Sequence, residues 1–117
     1  MAEILVIGSS NTDMVVQAPY LPTAGETILG KKFVMSPGGK GANQAVAAAR
    51  LGGKVSFLGK LGEDFFGQQA IANLQREGIS TDYLLIDPKY PSGVALITVD
   101  EQGENTIVVA SGANMAL

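Results

Sequence analysis

One stretch decides the fold: residues 36–53, which read SPGGKGANQAVAAARLGG. Its first four residues, Ser36 to Gly39, predict a turn, because proline and glycine interrupt regular structure. The alanine-rich run from Ala42 to Leu51 predicts a helix, since alanine is the best helix former. Gly52 and Gly53 supply its C-terminal stop. The small side chains of this helix favour close packing against a sheet.

Apolar segments on both sides of this helix predict a parallel sheet covered by helices. We predict, in chain order, strands at 3–8 and 54–59, a second helix at 65–77 with Asp64 as N-cap and Gly78 as stop, and a strand at 82–86. The order β-α-β-α-β is typical of an α/β core, here formed by residues 3–8 and 40–86.

Four further strands do not fit this parallel sheet. They are predicted at 13–18, 27–35, 93–99 and 105–110, the last two as a β-hairpin around a polar loop. We expect them to form a small separate sheet assembled from two distant segments. The core keeps an uncovered edge and no helix closes the chain before Leu117, so we expect a segment of a longer protein.

Composition narrows the possible functions. The chain has 117 residues, no cysteine and no histidine, which excludes disulfides, zinc sites built on sulfur or imidazole, and Ser-His-Asp catalysis. Its net charge of −3 and the lack of a basic stripe argue against a nucleic-acid partner. No apolar stretch approaches the roughly 20 residues that span a bilayer. We therefore expect a cytoplasmic protein without membrane contact and without a metal site of its own.

The glycine turn matches neither common nucleotide motif. A P-loop requires Ser or Thr after its lysine, but Gly41 follows Lys40, and the dinucleotide pattern requires glycine where Gln44 stands. A glycine turn at a helix N-terminus still suits an oxygen-rich ligand, because the backbone can approach closely and free N–H groups carry partial positive charge. Lys40 adds a cation and Asn43 an amide. The alternative is an ordinary turn with a solvated lysine.

A second polar segment, GSSNTD at residues 8–13, follows the first strand. In open α/β sheets, ligands bind beyond the carboxyl ends of the strands. Asn11 and Asp13 suit a sugar there, since a carboxylate accepts hydroxyl protons and an amide both donates and accepts. The alternative is an Asx-type turn in which both side chains cap the backbone.

Together, five segments resemble the N-terminal portion of the ribokinase-like carbohydrate kinases, the phosphofructokinase-B type, in order and spacing. They are Gly8–Asp13, Pro22–Thr27, Gly38–Gly52, Leu61–Gly67 and Ser92–Ile97. The resemblance covers essentially all 117 residues. It implies an α/β fold, a partial three-layer parallel sheet with helices plus a small β-sheet lid.

The resemblance also implies ATP-dependent phosphorylation of the primary hydroxyl of ribose or a related sugar. The residues that would hold the sugar are Asn11, Thr12, Asp13, Gly39, Lys40, Gly41, Ala42 and Asn43. In this family the lid closes over the sugar and pairs with a second subunit's lid, which implies a homodimer. Ala95 and Ile97 would touch the sugar's carbon face or the partner lid.

One departure concerns catalysis. The family's catalytic base is an aspartate in a Gly-Ala-Gly-Asp motif, and Ser111-Gly112-Ala113-Asn114 lacks the second glycine and the aspartate. The sites for ATP, Mg²⁺ and a monovalent cation such as K⁺ would likewise lie largely outside this chain. We expect the isolated chain to be inactive, because the sugar hydroxyl must lose a proton as it attacks. Two alternatives stay open: a non-catalytic sugar-binding or dimerising module, and a kinase for fructose, a nucleoside or a sugar acid.

Overall fold

A computed structural model describes residues 3–117, which form eight strands, two α-helices and one 3₁₀ helix. In chain order the elements are β1 (Glu3–Ile7), β2 (Asn11–Gln17), β3 (Lys32–Gly38), α1 (Lys40–Arg50), β4 (Lys54–Leu58), β5 (Lys60–Gly62), α2 (Phe65–Arg76), β6 (Leu85–Asp87), β7 (Gly93–Val99), β8 (Asn105–Ala110) and the 3₁₀ helix (Gly112–Ala116).

The core lies between the parallel pair β1–β4 and the two helices. Val6 and Phe57 face each other across the pair, and α1 packs against them through its small side chains, as the sequence predicts. The buried apolar cluster consists of Val6, Ala42, Ala45, Val55, Phe57, Leu74 and Ile79. The other face of the pair is open: Leu5 and Ile7 expose 52% and 63% of their surface. Among the described residues, helices therefore cover one face only.

Both helices begin and end close to the predicted positions. Asp64 caps α2, since its carboxylate accepts the Gly67 N–H at 2.8 Å, and Gly78 follows the helix with a φ of 76°. Helix α1 begins at Lys40 rather than at Ala42. A glycine with positive φ follows each helix, Gly52 after α1 and Gly78 after α2, and accounts for both C-terminal ends.

The predicted strand at 82–86 is wrong in its bounds and its partner. Within residues 3–117 the sheet has no third strand beside β4, and an isolated parallel bridge joins Ser56 to Ser80 instead. The chain instead forms β6, which pairs with the unpredicted strand β5. Gly59 separates β4 from β5, and a Cβ there would meet the Phe57 ring at 2.5 Å. The bend at Gly59 turns one apolar run into two short strands in different sheets.

The remaining strands form one four-stranded sheet in the order β3-β2-β7-β8. β2 pairs antiparallel with β3 and parallel with β7, and β7 with β8 is the expected hairpin. β7 and β8 have the expected bounds, whereas β2 spans 11–17 instead of 13–18. We call this unit the small sheet.

Strand β3 departs furthest from expectation. It was predicted at 27–35, followed by a turn, but it spans Lys32–Gly38 and includes Ser36 and Pro37. The proline is tolerated because β3 is an edge strand and needs no N–H for a further neighbour. The strand therefore runs up to Gly39 and leads straight into α1.

Candidate functional site

The glycine turn forms a tight junction between the small sheet and α1. Gly39 has a φ of 94°, and a Cβ there would lie 2.7 Å from the Ser9 carbonyl oxygen. Only glycine meets both demands without strain. The N–H of Ala42 donates to that same carbonyl at 2.9 Å, and Gly41 packs on the backbone of Gly8. An N–H group in the first turn of α1 thus binds the connection between β1 and β2 and is not available to a ligand.

Two of the predicted sugar-binding side chains share one face of the small sheet. Asn11 and Asp13 are two residues apart on β2, so both point to the same side. Their partners on β7 are Gly93 and Ala95, which leave room around them. The Asp13 carboxylate leans over Gly38, where any Cβ would collide with it. The result is a polar patch beside the start of α1, with a floor of small residues.

The Asp13 carboxylate is available to a ligand. The residue is half-buried, and no group within residues 3–117 pairs with its carboxylate through a hydrogen bond or an ion pair. The Asx-turn alternative is wrong for Asp13 and Asn11, since both lie in a regular strand. A half-buried carboxylate without a partner is well suited to accept protons from ligand hydroxyls.

Beyond Asp13 and its neighbour Ser36, the middle of this face is apolar. Ala95 is only 5% exposed, whereas Ile97 keeps part of its side chain accessible. Val34, Ile107 and Val109 extend the same face toward the sheet's far end. The face thus changes from polar at Asp13 to apolar at Ile107. A sugar ring, which has polar hydroxyls at its edge and an apolar carbon face, matches this change.

Other predicted residues lie elsewhere. Thr12 lies on the opposite face of β2. With Asn11, Ala42 and Asn43 it lines a cavity of about 700 Å³ between the two helices and the end of the small sheet nearest α1. Lys40 is exposed and lines no part of this cavity. The predicted residues therefore form a sheet-face group around Asp13 and a cavity group around Thr12 and Asn43, and Asn11 belongs to both.

The cavity has a mixed lining rather than a concentrated polar site. Phe65 and Phe66 meet edge to face at 5.9 Å between ring centroids and contribute apolar wall. At the rim, Arg50 and Glu77 neutralise each other through two 2.8 Å contacts. This bidentate pair lowers the pKa of the Glu77 carboxyl. The half-buried Asp13 carboxylate, which has no partner within residues 3–117, does not line the cavity, so we place the candidate site on the small sheet.

Sequence reasoning missed Asn114. Its amide accepts from the Ser10 N–H at 3.1 Å and donates to Oδ1 of Asn11 at 2.8 Å. Gly93 is also part of this arrangement, since a Cβ there would collide with both asparagine side chains. No local pattern could have revealed a contact between residues 103 positions apart.

Neither a metal cluster nor a membrane helix is found in the described part of the chain. No group of three or more carboxylates within residues 3–117 could hold a metal ion. Neither α1 nor α2 has the length and apolar character that a bilayer crossing requires.

The family model for pfkB carbohydrate kinases matches residues 1–117, the entire chain. The chain belongs to the pfkB family of carbohydrate kinases. A ribokinase from Bacillus subtilis is 51% identical over 114 residues, and a deoxyribokinase from Salmonella typhi is 44% identical over 115. These matches cover 97% and 98% of this chain, but 39% and 38% of the relatives.

A solved structure of a ribokinase shows the same fold. The ribokinase of Arabidopsis thaliana, complexed with ribose and ATP, superposes with a TM-score of 0.86 at 38% identity. The match covers 97% of this chain and 38% of that one. The ribokinase-like α/β fold expected from the sequence is thereby confirmed. The chain spans well under half the length of these relatives.

Proposed function

We propose that this chain is the sugar-binding part of an ATP-dependent sugar kinase that phosphorylates the primary hydroxyl of ribose or a related sugar. The observation that carries the proposal is the patch formed by Asn11 and Asp13. It offers an amide and an unpartnered carboxylate on one face of the small sheet, beside the N-terminus of α1. Family membership supports the reaction class.

The residues of this chain bind and orient the acceptor. Asp13 accepts protons from one or two ring hydroxyls, and Asn11 fixes a neighbouring hydroxyl. Holding the sugar in one orientation lowers the entropic part of the barrier to phosphoryl transfer. Gly39, Gly41, Lys40 and Asn43 extend the proposed contacts at the start of α1. Thr12 and Ala42 support this junction from the opposite side.

The proton of the attacking hydroxyl must go to a base, and we assign none to this chain. Asp13 binds hydroxyls at the sugar's edge, and the segment from Ser111 to Asn114 carries no carboxylate. We propose that the base, the ATP site and the Mg²⁺ site belong to other parts of a longer protein, with a monovalent cation such as K⁺ as a further candidate. When bound, Mg²⁺–ATP supplies the phosphoryl group and offsets its charge.

We propose ribose as the acceptor, with fructose, a nucleoside or a sugar acid as alternatives. Several similar relatives are ribokinases, which favours ribose. Another similar relative is a deoxyribokinase, whose name indicates a sugar with one hydroxyl fewer. We place the protein in the cytoplasm.

We further propose a homodimer that pairs through the small sheet. The row Val34–Val15–Ile97–Ile107 crosses all four strands on the face that carries Asp13. Every member is aliphatic, and Val34 and Ile107 are 42% and 55% exposed. The opposite face also exposes apolar side chains such as Leu96 and Val108. Its Met35 and Pro37, however, line the cavity beside the helices, so we propose the aliphatic row as the contact with a second copy.

An ADP-release assay with ribose and Mg²⁺–ATP tests the proposal. The longer protein should release ADP in a ribose-dependent manner, and the 117-residue chain alone should not exceed a heat-killed control. Turnover by the isolated chain would contradict the assignment of the base to another part. Absence of turnover by the longer protein with ribose, deoxyribose, fructose, nucleosides and sugar acids would contradict the kinase itself.

A further inference from the structure

The amide of Asn114 is held in one orientation by the backbone of Ser10. The Ser10 N–H can only donate, so the atom of Asn114 at 3.1 Å from it must be the amide oxygen. The NH₂ group then donates to the Ser10 carbonyl at 3.1 Å and to Oδ1 of Asn11 at 2.8 Å. Both ends of the amide are used, which leaves no freedom to rotate by 180° without losing hydrogen bonds.

This fixed amide dictates the orientation of Asn11 in turn. Because Asn114 offers hydrogen atoms, Asn11 must present its oxygen to it. The NH₂ group of Asn11 then points away from Asn114, and no acceptor within residues 3–117 takes its hydrogens. Without this neighbour, the Asn11 amide could present either end to a ligand.

Surrounding residues hold Asn114 in place. The N–H of Ala113 donates to the Pro91 carbonyl at 2.7 Å, and Ala113 is fully buried. Gly112 has a φ of 54° and lies against Pro91, where a Cβ would collide. The 3₁₀ helix that begins at Gly112 is thus anchored to the residues just before β7, and its asparagine reaches across Gly93.

We infer that Asn114 is a positioning residue that makes Asn11 a hydrogen-bond donor toward the sugar. The inference rests on the proposed function, in which Asn11 and Asp13 contact adjacent hydroxyls. The patch then has a defined polarity: Asn11 donates to one hydroxyl oxygen, and Asp13 accepts the proton of the next. Such a donor–acceptor pair on alternate residues of one strand selects a ligand with an acceptor oxygen next to Asn11.

The substitution Asn114→Asp reverses this polarity with little change in size. It keeps an acceptor for the Ser10 N–H but removes both donors. The Asn11 amide should turn its NH₂ toward the new carboxylate and present its oxygen to the sugar. We expect the Kd for ribose of the longer protein to rise about tenfold, with kcat at saturating ribose within about twofold. Asn114→Ala, which adds no charge, should raise the Kd by a smaller factor.

A double-mutant cycle distinguishes positioning from general destabilisation. If Asn114 acts through Asn11, then Asn114→Asp should have no further effect on the Kd in an Asn11→Ala background. Ser92→Ala is the matched control, because Ser92 joins the core to β7 through Asp64 without contacting Asn11. It should leave the Kd within about twofold of wild type.

The outcomes separate this inference from the proposed function. Wild-type ribose binding together with an unchanged Kd in Asn114→Asp and Asn114→Ala would overturn the inference and leave the function intact. An equal effect of Asn114→Asp with and without Asn11 would also overturn it. No binding of ribose or the other candidate sugars by the wild-type protein would instead contradict the proposed function.

Discussion

The carboxylate of Asp64 joins the N-terminus of α2 to the residue that precedes β7. One oxygen accepts the Gly67 N–H at 2.8 Å and the Ser92 hydroxyl at 2.7 Å, and the other accepts the Ser92 N–H at 2.8 Å. The Ser92 hydroxyl oxygen accepts the Gly62 N–H at 2.9 Å. One side chain thus caps a helix and attaches the small sheet to the core.

The charge of Asp64 should contribute to stability, and its loss should depend on pH. Partial burial raises its pKa, but the hydrogen bonds from Ser92 and Gly67 outweigh burial, so the pKa is lowered overall. A lowered pKa stabilises the folded state above the unfolded-state pKa of about 3.9, and this contribution disappears as pH falls through the folded-state value. Asp64→Asn should cost about 1–2 kcal/mol at pH 7.

Urea unfolding of both proteins from pH 7 to pH 3 checks this prediction. The difference in unfolding free energy should be constant down to about pH 5 and should shrink below pH 4. A difference that stays constant down to pH 3 would show that the ionised form of Asp64 does not contribute to the stability of the fold.

Gly39 and Gly52 form a matched pair for testing the junction. Both have a φ of 94°, but a Cβ at Gly52 would meet nothing within 4 Å, whereas one at Gly39 would press on the backbone of Ser9 and Ser10. Gly52→Ala should lower the free energy of unfolding by about 1–2 kcal/mol, because alanine is unfavourable in the left-handed conformation. Gly39→Ala should cost about 1–3 kcal/mol more, because backbone atoms cannot rotate away.

Thermal and urea unfolding of the two variants measure these costs. Equal destabilisation would mean that the junction relaxes around the added methyl group, and the close contact between Gly39 and Ser9 would then have no energetic consequence.

Asp13→Asn should weaken sugar binding. The amide removes one charged acceptor for hydroxyl protons, and a charge-assisted hydrogen bond contributes roughly 1.5–3 kcal/mol. The Kd for ribose should rise about 10- to 150-fold, measured by calorimetry on the longer protein. Asp82→Asn is the control, since Asp82 is exposed and lies far along the chain between α2 and β6. An unchanged affinity in Asp13→Asn would remove Asp13 from the site.

Ile107→Glu and Val108→Glu test the proposed dimer. The two residues are neighbours on β8, are 55% and 66% exposed, and point to opposite faces of the small sheet. A buried glutamate without a partner is strongly unfavourable, so Ile107→Glu should convert the dimer to a monomer in sedimentation equilibrium, while Val108→Glu should not. The reverse result would assign the interface to the opposite face.

Local signals account for what the sequence could predict. Asp64 and the glycines after α1 and α2 mark helix ends through their own backbone chemistry, so both helices follow from short stretches. The hairpin of β7 and β8 likewise follows from alternating apolar residues around a polar loop. The family was identified from five motifs that are spread along the chain.

Tertiary contacts decide the rest. Whether residues 54–62 form one strand or two depends on how Gly59 packs against Phe57, and Pro37 stays in a strand only because β3 lies at an edge. Strand β2 begins at Asn11, two residues earlier than predicted, so Thr12 lies inside the strand and its side chain points to the face opposite Asp13. Asn114 reaches Asn11 across more than a hundred residues, which no local pattern encodes.

The location of the sugar is the central claim, and a crystal structure of the longer protein with bound ribose tests it most directly. We predict ribose hydroxyls within hydrogen-bonding distance of the Asn11 NH₂ group and the Asp13 carboxylate, beside Gly39. Ribose bound in the cavity between α1 and α2, without contact to Asp13, would contradict this account.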